Sequence, residues 1–158
     1  MDAFMHKAST IANHFIRSGA TDNTPMKLQK LVYYAHGWNL ALNNRALINE
    51  QIEAWDYGPV ARSLFSATKR YGDNPVTSLI VTSNAPGSAS PNMIGFLDQI
   101  WRIYGHFSGI QLSNMTHDAG TPWRKVYDKY HGNIPKGTDI PEESIKSWFK
   151  AELQNLGQ

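Results

Sequence analysis

The chain has 158 residues and not one cysteine. Disulfides, thiolate metal sites and thiol catalysis are therefore excluded, and the composition suits a reducing compartment. Long apolar runs are missing as well, since no stretch approaches the ~20 residues needed to cross a bilayer. The opening segment, Met1-Asp2-Ala3-Phe4-Met5-His6-Lys7, lacks the basic-then-apolar plan of a secretory signal. These omissions lead us to expect a cytoplasmic protein with no membrane partner. Charge of one sign is also scarce. Fifteen Lys and Arg stand against thirteen Asp and Glu, a net of +2, and the longest basic runs are the pairs Lys69-Arg70 and Arg124-Lys125. Nucleic-acid binders gather such residues into a stripe that displaces phosphate counterions, so this distribution argues against a nucleic-acid partner.

Catalytic and metal-binding patterns are absent in the same way. His6, His14, His36, His106, His117 and His131 form no H-E-x-x-H or other tight cluster, so the spacing that marks a zinc site is missing. No G-x-S-x-G elbow places a serine for attack. The glycines are scattered rather than grouped into a phosphate cradle. We therefore expect no enzyme activity, no cofactor and no bound metal.

Against these gaps stands a hydrophobic fraction of 41% with 18% charged residues, the balance of a folded globular chain. The length suits a single domain over residues 1–158. The pattern predicts a mainly α fold of about six to seven helices, with a short β-hairpin or small antiparallel element near residues 46–57. Apolar residues at three- and four-residue spacing predict a first helix over about Ala3 to Ser18 and a second over about Pro25 to Asn43. The second follows a cap-plus-proline signal at Thr24-Pro25, and its wide apolar stripe places it centrally. Between Ala46 and Tyr57 the period loosens into an extended pattern. Asp56-Tyr57-Gly58-Pro59 reads as a turn, with Pro59 opening a third helix to about Tyr71. Val76 to Thr82 is β-branched enough for a short strand, and Ser83 to Ser90 has the composition of a mobile loop. Pro91 opens a helix with Ile94, Leu97, Ile100, Trp101 and Tyr104 inward. Ser108 caps a short one over Ile110, Leu112 and Met115, and Thr121-Pro122 opens another. The last, about 141–155, turns Ile145, Trp148, Phe149 and Leu153 inward.

Aromatic residues are the strongest compositional signal, with five Trp and seven Tyr. Helical spacing assigns Trp38, Trp101 and Trp148 to the core. Trp55 and Tyr57 sit beside a turn, where an interface role and a packing role are both open. The candidate contact residues for a protein partner are Trp55, Asp56, Tyr57 and Arg62.

Several blocks resemble one known family. Met26 through Trp38 (MKLQKLVYYAHGW), Ile52 through Val60 (IEAWDYGPV), Tyr71-Gly72, Leu112 through His117 (LSNMTH) and Pro122-Trp123 occur in the order of the Panacea domain, and the likeness runs from about Ala3 to Tyr130. That family includes SocA-like antitoxins and phage- or prophage-associated GepA-like proteins. The resemblance implies an antitoxin that neutralises a cognate protein toxin, encoded in an adjacent gene, by direct binding. Two other roles come with it: an adaptor that delivers the toxin to the ClpXP protease, and a phage accessory protein that inhibits a host factor. Periodicity makes the motif residues mostly scaffold, which leaves the 83–90 loop, the 131–140 loop and the last helix as further candidate surfaces.

Overall fold

The computed structural model describes residues 5–82 and 87–156. One helix, α2 (Pro25–Asn43), organises the rest. Proline at its first position and the Thr24 hydroxyl, which accepts the Lys27 amide at 3.2 Å, satisfy its N-terminus. Asn44 ends it in the left-handed conformation, φ 59°. Its neighbours are α1 (Ala8–Ile16), α3 (Arg62–Thr68), α4 (Pro91–Tyr104), α5 (Gly109–Thr116), α7 (Glu142–Leu156) and the strand β2 (Gly58–Val60). Surrounded in this way, α2 buries almost its whole circumference, and Leu28, Leu31, Val32 and Ala35 are fully enclosed. A mainly α fold with a minor β element is what the pattern predicts and what the chain adopts.

Helices α4, α5 and α6 (Pro122–Lys129) begin where local signals put them. Proline opens α4. Ser108 and Gln111 form a reciprocal capping box on α5, and the Thr121 hydroxyl caps α6. A single connected core runs through Ile11, Phe15, Leu31, Leu64, Leu97, Leu112, Ile140 and Phe149. No described helix is long and apolar enough to cross a membrane.

Four expectations are corrected. The first helix starts at Ala8, because His6 pairs in extended form with Leu47 and Ile48 instead of coiling; Ala3 and Phe4 lie outside the described residues. The hairpin expected near residues 46–57 is present and runs from Glu53 to Val60. Strands β1 (Glu53–Trp55) and β2 pair antiparallel with Glu53 opposite Val60 and Trp55 opposite Gly58, leaving Asp56-Tyr57 as the turn. Pro59 is consequently a strand residue, tolerated because proline fits a short edge strand, and α3 begins at Arg62. Residues 76–82 form no strand; Val81 is an isolated bridge residue. Val76 donates its amide to the Asn23 carbonyl (2.8 Å), while Asn13 accepts the Ile80 amide (2.7 Å) and donates back to the Ile80 carbonyl (2.9 Å). Finally, Ile94 and Leu153 face outward rather than into the core, at the fringe of their helices' apolar stripes. Residues 83–86 of the expected mobile loop lie outside the described residues.

Candidate partner-binding face

A helix enclosed on all sides has to match its polar residues to partners, because a buried polar group without a hydrogen bond is costly. On α2 the buried polar residues are Lys27, Gln29, Lys30, His36 and Asn39. Lys27 is an internal clamp. Its ammonium reaches both Asp22 carboxylate oxygens (3.0 and 2.9 Å) and the Gly105 carbonyl (2.6 Å), beneath the Trp101 ring. His36 accepts the Leu47 and Ile48 amides on Nδ1 at 3.3 and 3.4 Å. Burial pushes its pKa down to about 4, and protonating Nδ1 would break both bonds.

Gln29 and Lys30 serve the hairpin. The Gln29 amide pairs with Ala61 in both directions, donating to its carbonyl (3.0 Å) and accepting its N–H (2.9 Å). Lys30 Nζ donates to the Pro59 carbonyl at 3.3 Å. From α5, the Ser113 hydroxyl donates to the Tyr57 carbonyl at 2.8 Å. His117, just past α5, places Nε2 3.2 Å from the Asp56 carbonyl and Nδ1 2.6 Å from its own helix's Ser113 carbonyl. From α6, Trp123 Nε1 donates to the Trp55 carbonyl at 2.6 Å. Four main-chain carbonyls between residues 55 and 61 thus accept from side chains on helices beneath, and His117 Nε2 lies against a fifth, that of Asp56. The other flank of β1 is closed too, since Ala54 donates to the Thr138 carbonyl and Ile140 to the Ile52 carbonyl. No edge is left open there for strand addition. Gly58 is required twice over: its φ is +114°, and a Cβ would sit 2.8 Å from Thr116 Oγ1 and 3.1 Å from Lys30 Cε.

Above this support lies an outward cluster. The Arg62 guanidinium binds Glu53 through Nε and Nη2 at 2.9 and 2.8 Å and lies 5.6 Å from the Trp55 ring. Trp55 Nε1 donates to the same carboxylate at 3.1 Å, and its ring meets Phe65 at 4.7 Å. The hydrogen bond from Arg62 holds the Glu53 carboxyl below its usual range. Tyr57, at the tip of the turn, is 69% exposed and Phe65 is 40% exposed. A shallow cavity of about 230 Å³ opens beside Trp55, lined by Ala54, Asp56, Ile134, Lys136 and Gly137.

All four residues singled out from the sequence fall on this one face. Trp55 and Arg62 are in contact, and Asp56 and Tyr57 form the turn. Glu53 and Phe65 belong to it as well and were not anticipated. Glu53 carried a readable signal, because residues two apart on a strand share a face. Gln29 and Lys30 carried another, as polar residues inside an apolar helical stripe. Among the described residues, no three His, Asp or Glu side chains converge as metal ligands.

Residues 28–124 match the family model described as antitoxin SocA-like, Panacea domain. The chain belongs to that family. A Panacea-family relative, Antitoxin SocA of Caulobacter vibrioides (strain NA1000 / CB15N), is 29% identical over 154 residues, covering 90% of this chain and 82% of that protein. No solved structure matches. The Panacea segment includes the hairpin and the side chains set against its carbonyls. Helices α1 and α7 lie outside it, so the matched stretch is narrower than the likeness read from the blocks.

Proposed function

We propose that this chain is an antitoxin that silences a cognate protein toxin by binding it directly, without catalysis, and that the hairpin face is the contact surface. The observation that carries the reading is a half-buried Trp55 packed by Arg62 and the exposed Phe65, with the exposed Tyr57 on the adjoining turn, on a backbone fixed from below in a chain of an antitoxin family. Trp, Tyr and Arg dominate binding energy at protein interfaces, and a surface that is already ordered loses little entropy on docking. A stable complex needs roughly 1,200–2,000 Å² of buried area, which the hairpin, the start of α3 and the 131–140 loop together can offer.

The test is co-expression with the protein encoded by the neighbouring reading frame. Growth should be restored, and the two proteins should co-purify. Tyr57→Ala should weaken the complex at least tenfold, about 1.4 kcal/mol, with the melting temperature unchanged because the side chain is exposed. Arg62→Glu should also weaken it, but it sets two carboxylates against each other at Glu53, so Tyr57→Ala is the cleaner variant. Toxin abundance in the same cultures should stay constant; a fall would point to delivery to a protease. Full affinity in both variants would move the interface elsewhere.

A further inference from the structure

The amine of Lys30 is fully enclosed, and among the described residues it pairs with no carboxylate. Its companion one turn earlier, Lys27, has two carboxylate oxygens and a carbonyl; Lys30 has the Pro59 carbonyl at 3.3 Å. Burying an ionisable group with so few partners disfavours the fold, and an apolar residue of similar volume in such a place is often neutral or stabilising. Burial accordingly pushes the Lys30 amine down to about 7. What the side chain does provide is local. It ends directly under the turn, against Gly58 and Pro59, while Ser113 holds the next carbonyl back along the chain, that of Tyr57. Ser113 meets Tyr57 through its main-chain carbonyl, and the Lys30 amine meets main chain at Pro59.

We propose that Lys30 and Ser113 are positioning residues for partner binding: they fix the Asp56-Tyr57 turn in the conformation the partner meets, and contribute little to holding the fold together. The proposal rests on the hairpin face being the contact surface. Without these two donors the turn has Trp123 and His117 on one side and Gln29 on the other, and its tip is released to sample other conformations. Each new conformation lowers the fraction of molecules ready to bind and weakens apparent affinity in proportion.

The experiment uses the full chain with Lys30→Met, which keeps most of the volume, and Ser113→Ala, which removes one hydroxyl from a helix. Three readouts are taken: thermal melting, amide hydrogen exchange resolved by residue, and affinity for the neighbouring-frame protein. The expected result is a melting temperature unchanged or raised for Lys30→Met, and exchange at Tyr57, Gly58 and Val60 faster by about tenfold or more, with the amides of α2 and α7 still protected. Affinity should fall by about tenfold with no change in any contact residue. The proposal is overturned if turn exchange is unaltered in both variants. It is equally overturned if α2, α7 and the turn lose protection together as melting drops, which is the signature of an ordinary core role. A loosened turn with full affinity, in these variants and in Tyr57→Ala alike, would refute the contact surface while leaving the positioning of the turn intact.

Discussion

Gly37 lies midway along α2, where alanine would ordinarily be an improvement. In a helix interior the exchange of glycine for alanine gains about 1 kcal/mol from propensity alone. Here a Cβ would meet the ring of Phe149 on α7, with Cζ 2.5 Å away and two other ring carbons nearer still, against an ordinary carbon–carbon contact of about 3.5–4.0 Å. The ring has no room to turn aside. It is fully buried and packed edge-on by Tyr33, Tyr34, Trp38 and Trp148 at centroid distances of 5.8, 5.9, 5.2 and 4.8 Å. Relief therefore requires α7 to back away from α2 by more than an ångström, and overpacking of this sort costs about 1–3 kcal/mol or more. We expect Gly37→Ala to lower stability by about 2 kcal/mol net, a fall of about 4–8 °C in melting for a chain of this length. Urea unfolding of a double-mutant cycle makes the cause visible. Phe149→Ala alone should cost about 3–5 kcal/mol, but in that background Gly37→Ala should turn stabilising, since only the propensity gain is left. If Gly37→Ala raises stability in the parent chain, or if the two changes simply add, close packing of α7 on α2 is not what requires the glycine.

Acid should weaken the fold through His36. Its folded pKa is about 4 against an ordinary 6.5, so the unfolded chain takes up the proton first, and stability present above pH 6.5 is lost as pH falls towards 4. The full loss amounts to about 3 kcal/mol, and His36→Gln should flatten this limb in pH-dependent melting. Lys30 acts at the other end of the scale. With a folded pKa of about 7, it is neutral in the fold while still charged in the unfolded chain, so stability should rise from about pH 7 to 10 by at most about 5 kcal/mol. Lys30→Met should remove that slope. Above pH 10 the buried Tyr33, Tyr34 and Tyr104, whose pKa values burial raises, should reverse the trend. Trp38→Ala removes a half-buried ring whose Nε1 donates to the Tyr104 hydroxyl at 2.8 Å. It should cost about 3 kcal/mol with partner affinity at low temperature preserved; lost affinity with unchanged melting would make that face of α2 an interface.

The starts of α2, α4, α5 and α6 were legible in the sequence because their causes are local. Proline at a first helical position constrains φ and needs no N–H partner, and Thr24, Ser108 and Thr121 each reach an amide only three residues away. The antitoxin family was legible for a related reason, in blocks of adjacent residues read in order. The aromatic residues beside the turn were also visible: Trp55 packs against Phe65 and Arg62, and Tyr57 stands exposed in the turn. Tertiary structure alone decided the hairpin's position, because Asp56-Tyr57-Gly58-Pro59 suits a turn into a helix as well as a turn between strands. The choice came from partners distant in the chain, such as Trp123 with Trp55 and Thr138 with Ala54. Tertiary structure likewise made Lys27 a clamp for the Gly105 carbonyl and Lys30 a support for the hairpin, though both are lysines on the same helix. Spacing along the chain identifies which residues share a helix face; what each polar side chain on that face must satisfy depends on the element folded against it.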